Sequence, residues 1–199
     1  MGEVEFFHHT GPGYGITRDA VPFTPSIFIS PGVTMKYTAT PQSGTSWAAT
    51  TFSDASWSTG NAGSFPTVTA TTRYYRYTVP ITVAGYFALN VGVRTNSGFI
   101  IYINGQEAHR VGLASGVISS SSISTLAEST PTWKSVTVST QLFITSGNSV
   151  TIAVEVHLGP GQNNIPDVFD IRGFIYSGTG TSSPPSLIRR LRHHQPLLR

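Results

Sequence analysis

The stretch Phe99-Ile100-Ile101-Tyr102-Ile103-Asn104-Gly105-Gln106-Glu107-Ala108-His109-Arg110-Val111 decides the fold. An apolar and aromatic run, then Asn-Gly, then a second run spells a β-hairpin, because Asn104 and Gly105 both accept the positive φ of a type I′ turn. Further on, Val150-Thr151-Ile152-Ala153-Val154-Glu155-Val156-His157 alternates with period two, which sends Val150, Ile152, Val154 and Val156 to one face and Glu155 and His157 to the other. The same alternation turns Phe87, Leu89, Val91 and Val93 inward on an earlier strand, and Phe169, Ile171 and Ile175 inward on the last. Outward from these anchors, turn residues separate eight strand candidates at 34–40, 73–79, 86–94, 98–103, 107–112, 133–138, 149–157 and 168–176, with no helical stripe and no internal repeat. The Ser-rich residues 113–131 read as a long loop. The expectation is an all-β protein.

Composition agrees. The chain has 199 residues, no Cys, 39% hydrophobic and 11% charged residues, 20 Gly and 13 Pro. A chain of this length buries about 70% of its unfolded surface in one core and needs no staple. Without Cys, thiolate metal sites, Cys nucleophiles and redox couples are excluded. The net charge of +3 is uneven: Arg189, Arg190, Arg192 and Arg199 stand without an acid in residues 183–199, leaving residues 1–182 at −1 with eight basic and nine acidic groups. The basic footprint is a tail and not a folded face, so nucleic acid is not the expected partner. Residues 1–32 read as an irregular N-terminal arm, broken by Pro12, Pro22, Pro25 and Pro31 yet apolar at Phe6, Phe7, Val21, Phe23, Ile27 and Ile29. Residues 33–180 form the sandwich, and residues 181–199 a Pro- and Arg-rich tail in which Leu187, Ile188 and Leu191 could meet an apolar partner. No apolar run is long enough to span a membrane. Met1-Gly2-Glu3-Val4-Glu5-Phe6 has neither the positive nor the apolar region of a secretory signal.

Several pieces then line up in order: Trp47; Phe52-Ser53-Asp54-Ala55-Ser56-Trp57-Ser58-Thr59-Gly60-Asn61-Ala62; Tyr74-Tyr75-Arg76; Gly98 to Gly105; Trp133 to Val138; Asn148-Ser149-Val150 running into Val154-Glu155-Val156-His157; and Phe169-Asp170-Ile171. This set resembles the galactose-binding-like jelly-roll β-sandwich modules appended to secreted glycoside hydrolases and surface proteins. The resemblance covers about Trp47 to Tyr176. It implies a single jelly-roll sandwich of about eight antiparallel strands, with a non-catalytic role in sugar binding or domain spacing. Where such modules often carry consecutive Asp before the central hairpin, this chain has Arg94-Thr95-Asn96-Ser97-Gly98, which offers no carboxylate contact for calcium or ligand.

The candidate residues fall into three groups. Trp47, Trp57, Arg76, Asn104, Gly105, Trp133, Glu155 and Asp170 are expected to be structural, with Arg76 and Glu155 paired because a buried charge needs a partner. Stacking on sugar rings is the other chemistry open to the three Trp. The loop polars Asn96, Ser97, Asn163 and Asn164, with His157 at a strand end, are the candidates for sugar hydroxyls. Phe6, Phe7, Val21, Phe23, Ile27, Ile29, Leu187, Ile188 and Leu191 are the candidates for contact with neighbouring copies. Hydrolysis needs two apposed carboxylates, or a nucleophile with its base, and nine acids dispersed through the chain are a poor inventory for it. His8-His9 and His193-His194 are adjacent pairs near the termini, not a zinc-ligand spacing, and no cofactor motif occurs. The sequence thus ranks a structural subunit of an extracellular, surface or virion-type assembly, built through arm and tail as a homo-oligomer, ahead of a carbohydrate-binding or adhesive module. A glycoside hydrolase accessory fragment comes third.

Overall fold

A computed structural model describes residues 23–82, 86–139, 149–163 and 168–178. It contains β1 (Phe23–Ile29), β2 (Thr34–Thr38), β3 (Ser58–Asn61), β4 (Thr72–Pro80), β5 (Tyr86–Ile103), β6 (Gln106–Val111), β7 (Ala127–Ser139), β8 (Ser149–His157) and β9 (Asp170–Gly178), with one 3-10 turn at Ser46–Ala48. Every pairing is antiparallel. β5 belongs to two layers. Its first part, through Ser97, lies between β7 and β9; its last part, from Gly98, lies between β6 and β8. One layer is therefore β1-β9-β5-β7 and the other β3-β2-β4-β8-β5-β6.

The core between the layers is what the alternation demands. Val150, Ile152, Val154 and Val156 of β8 meet Leu89, Val91 and Val93 of β5 and Ile171 and Ile175 of β9, and Phe169 stacks on Tyr75 at 3.7 Å between centroids. The hairpin turn has φ of 50° at Asn104 and 85° at Gly105, with Ile103 opposite Gln106. The all-β sandwich expected from sequence is the fold found.

Four local expectations need correction. The segments 86–94 and 98–103 are one strand. Thr95-Asn96-Ser97 reads as a turn because its residues are small and polar, but they sit at a register shift between Thr95 and Ser97, where a bulge bends the strand from one layer into the other. Secondly, the arm is not irregular over Phe23–Ile29: this segment pairs with β9, and Ile29 is buried in the core. Pro25 is tolerated because, among the described residues, β1 has a partner on one side only. Ile29 is thus part of this chain's own core, while Ile27 on the same strand stays exposed. Thirdly, β3 was invisible, being four short polar or glycine residues without alternation. Lastly, β7 begins at Ala127, inside the expected loop. Phe6, Phe7, Val21, Asn164, Leu187, Ile188 and Leu191 lie outside the described residues.

Candidate functional site

The face of β8 that carries Glu155 and His157 is not open to water. Trp47 and Ala48 of the 3-10 turn and Trp57, just before β3, cover it, forming a second apolar cluster with Tyr74 of β4, Ile100 and Tyr102 of β5 and Ala153 of β8. Trp47 and Trp57 are buried in it, as expected of structural residues. Arg76 and Glu155 share this face but are not partners. Register sets Arg76 opposite Ala153 and Glu155 opposite Tyr74. The Arg76 guanidinium bonds Asp54 at 3.0 Å and donates to the Trp47 and Phe52 carbonyls, locking the covering segment down. Glu155 instead accepts a 2.6 Å bond from the Tyr102 hydroxyl, with His157 Nε2 3.3 Å from its other oxygen.

His157 is 0% exposed and cannot meet a sugar, which corrects its candidacy. Its Nδ1 lies 2.9 Å from both Thr72 Oγ1 and the Ser122 carbonyl. Thr72 donates its own proton to the Ser120 carbonyl, so both neighbours of Nδ1 accept and Nδ1 carries a hydrogen. The histidine thereby pins residues 120–122 onto the sheet. Burial, first, and then the bond and charge of Glu155 push the Tyr102 hydroxyl well above its ordinary value. Burial likewise raises Tyr74 and Tyr75. The folded chain therefore keeps protons that the unfolded chain releases above pH 10. This contribution to stability is complete below the unfolded value and is lost as pH rises toward the folded one. Alkaline titration is expected to leave three of the chain's eight tyrosines protonated until the chain unfolds; tyrosinate absorbance reaching the value for all eight with circular dichroism unchanged would contradict it.

The loop polars are engaged among themselves. Ser97 is fully buried, its hydroxyl 2.8 Å from Gln162 Oε1 and 3.3 Å from Asn96 Oδ1. Gln162 also takes the Gly159 amide at 2.7 Å and donates to the Asn96 carbonyl at 3.3 Å. Ser97 is therefore a structural residue and not a sugar ligand, Asn96 is half-buried, and among the described loop candidates Asn163 alone stands exposed. Gln162, which ties the cluster, has no signal in sequence beyond its place in a turn. Asp170 acts as expected, its carboxylate accepting from the Gly32 and Ile171 amides at 3.1 and 2.8 Å.

What remains open is the outer face of the β1-β9-β5-β7 layer. Register places Asn90, Gly92 and Arg94 of β5 beside Thr137, Ser135 and Trp133 of β7, and Asn90 and Gly92 beside Phe174 and Arg172 of β9. Ile27, 65% exposed, continues the Phe174 row on β1. Trp133, expected to be structural like Trp47 and Trp57, belongs to neither buried cluster. Its half-buried ring lies under the Arg172 guanidinium, 4.4 Å from the centroid. Gly92 makes this possible: a Cβ there would stand 3.2 Å from Arg172 Cγ and Nε and 3.5 Å from Trp133 Cε3. Asn90 donates to Thr137 at 2.8 Å. The result is a flat floor with an indole, two guanidiniums and several hydroxyl and amide groups. Each described carboxylate, by contrast, is engaged: Asp54 with Arg76, Glu107 with Arg110, Glu128 with Lys134, Glu155 with Tyr102, and Asp170 with backbone amides. No cluster of three acidic or His side chains suited to a metal occurs among the described residues.

No protein-family model matches the sequence, and no curated protein does. Among solved structures the chain is similar to Bacteroides uniformis β-glucuronidase 2, with a TM-score of 0.53 and 13% identity over 77% of this chain and 18% of that one. The structure described as Bacteroides uniformis β-glucuronidase gives the same values, a TM-score of 0.53, 13% identity, 77% and 18%. A glycosyl hydrolase family 2 member from Bacteroides cellulosilyticus follows with a TM-score of 0.48, 12% identity, 76% and 20%. The chain spans less than a fifth of the length of the first two, and at this identity the likeness is one of fold. The fold is an antiparallel β-sandwich similar to one part of these much longer chains.

Proposed function

We propose that the protein is a non-catalytic accessory β-sandwich, of the kind that accompanies a catalytic domain in glycoside hydrolases, and that it binds carbohydrate on the outer face of the β1-β9-β5-β7 layer. The observation that carries this is the partly exposed Trp133 on a glycine-floored sheet face, flanked by Ser135, Thr137 and Asn90. An aromatic face takes the apolar side of a sugar ring, and neighbouring amides and hydroxyls take its hydroxyls. The fold likeness to β-glucuronidases supports the accessory role, since this chain matches only 18% of their length. The engaged state of every described carboxylate supports a non-catalytic one. An extracellular or surface location goes with this reading; no helix among the described residues is long and apolar enough to cross a membrane.

Retention on a glycan array tests it. Trp133→Ala is expected to weaken binding about tenfold, which is about 1.4 kcal/mol, while the melting temperature stays close to that of the parent. Asn163→Ala, in the loop, is expected to leave retention unchanged. A protein retained on no glycan, or one whose retention ignores Trp133 and follows Asn163, would sink the reading.

A further inference from the structure

We propose that the platform selects acidic glycans, holding a sugar carboxylate with Arg94 and Arg172 beside the Trp133 ring. This rests on the carbohydrate-binding reading and names the class of sugar. Arg94 stands directly across from Trp133 on β7, and Arg172 directly across from Gly92, so the two cations occupy diagonal positions on one sheet face. Like charges so placed repel unless an anion lies with them. The fold supplies none among the described residues. Asp170, the register partner of Arg94, has its carboxylate turned to the Gly32 and Ile171 amides. Glu128, the acid on β7, is held by Lys134 at 2.7 Å. Among the described residues neither Arg94 nor Arg172 has a hydrogen-bond or ion-pair partner, and the Nε of each is shielded from water without one.

Every other arginine outside the tail that the structure describes has a polar partner: Arg73 the Pro66 carbonyl, Arg76 Asp54, Arg110 Glu107. The two exceptions are neighbours, and they flank the one Trp left partly exposed. Arg172 is also held in place, its guanidinium stacked on the indole and its stem laid over Gly92. A planar fork fixed in this way suits a carboxylate, which it can meet with two parallel bonds, better than it suits a neutral hydroxyl.

The full chain is titrated by calorimetry with a panel of carboxylated glycans (oligogalacturonate, alginate, hyaluronan), with the same glycans reduced so that each carboxylate is a primary alcohol, with dextran sulfate, and with neutral oligosaccharides. At least one carboxylated glycan is expected to bind tenfold or more tighter than its reduced form, and to weaken as salt rises. Arg94→Gln and Arg172→Gln are each expected to lose about tenfold for the acidic glycan with melting temperature retained, and Arg172→Lys to recover only part of it. Equal affinity for acidic and reduced forms, or affinity indifferent to both Gln variants, overturns the inference but leaves the carbohydrate-binding reading standing. Preference for dextran sulfate overturns the carboxylate assignment. Binding of no glycan at all, neutral ones included, overturns both.

Discussion

Trp47→Ala is expected to destabilise the protein by about 3–5 kcal/mol, the range for truncating a buried large aromatic. The residue is 1% exposed and is the hub of the cluster on the outer side of the β3-β2-β4-β8-β5-β6 layer. Its ring stacks on Trp57 at 6.2 Å and receives Tyr74 and Tyr102 edge-on at 4.9 and 5.5 Å. Removing it leaves a void beside the Tyr102–Glu155 bond, so water would reach a carboxylate that is otherwise shielded. It also loosens the segment whose carbonyl Arg76 grips, so the cost is more than lost area. Urea unfolding followed by circular dichroism measures it; a loss under about 1 kcal/mol, a usual size for any point change, would mean that the cover is dispensable to the sandwich.

Gly105→Val carries the second large effect. At φ of +85° a β-branched side chain is strained, and a Cβ at this position would stand 3.2 Å from Ala49 Cα, a backbone atom that cannot swing aside. Backbone strain of this kind costs about 1–3 kcal/mol, and crowding in a packed site adds about 1–3 kcal/mol. Gly116→Val separates the two contributions, because Gly116 has φ of +95° with nothing within 4 Å of a built Cβ. The Gly105 variant is expected to lose clearly more stability than the Gly116 variant. Equal losses would show that Ala49 gives way and that only the dihedral matters.

The fold was legible where one physical rule dominated. The period-two run of β8 and the Asn104-Gly105 turn each leave a single reading, and the structure follows both. Rules that compete misled. Prolines argued against a strand at Phe23–Ile29, yet an edge strand tolerates them. Small polar residues argued for a turn at Thr95-Asn96-Ser97, yet a bulge uses the same residues. The site was less legible still. Period two shows which way His157 points but not that Thr72, Ser122 and the Trp47 segment cover it. The exposed face depends on Trp133, Gly92, Arg94 and Arg172 meeting across three strands, and distant register of that sort leaves no mark on a single sequence.

The shared strand β5 has a mechanical consequence. In a sandwich whose layers join only through loops, one sheet can peel from the other along the interface. Here a single run of backbone is the middle of both, so lifting either sheet away must bend β5 near Thr95–Gly98 or strip it from β7, β8 and β9 together. The protein has no seam to open along. Its two layers should come apart only as the whole chain unfolds, which gives the sandwich one strength rather than two.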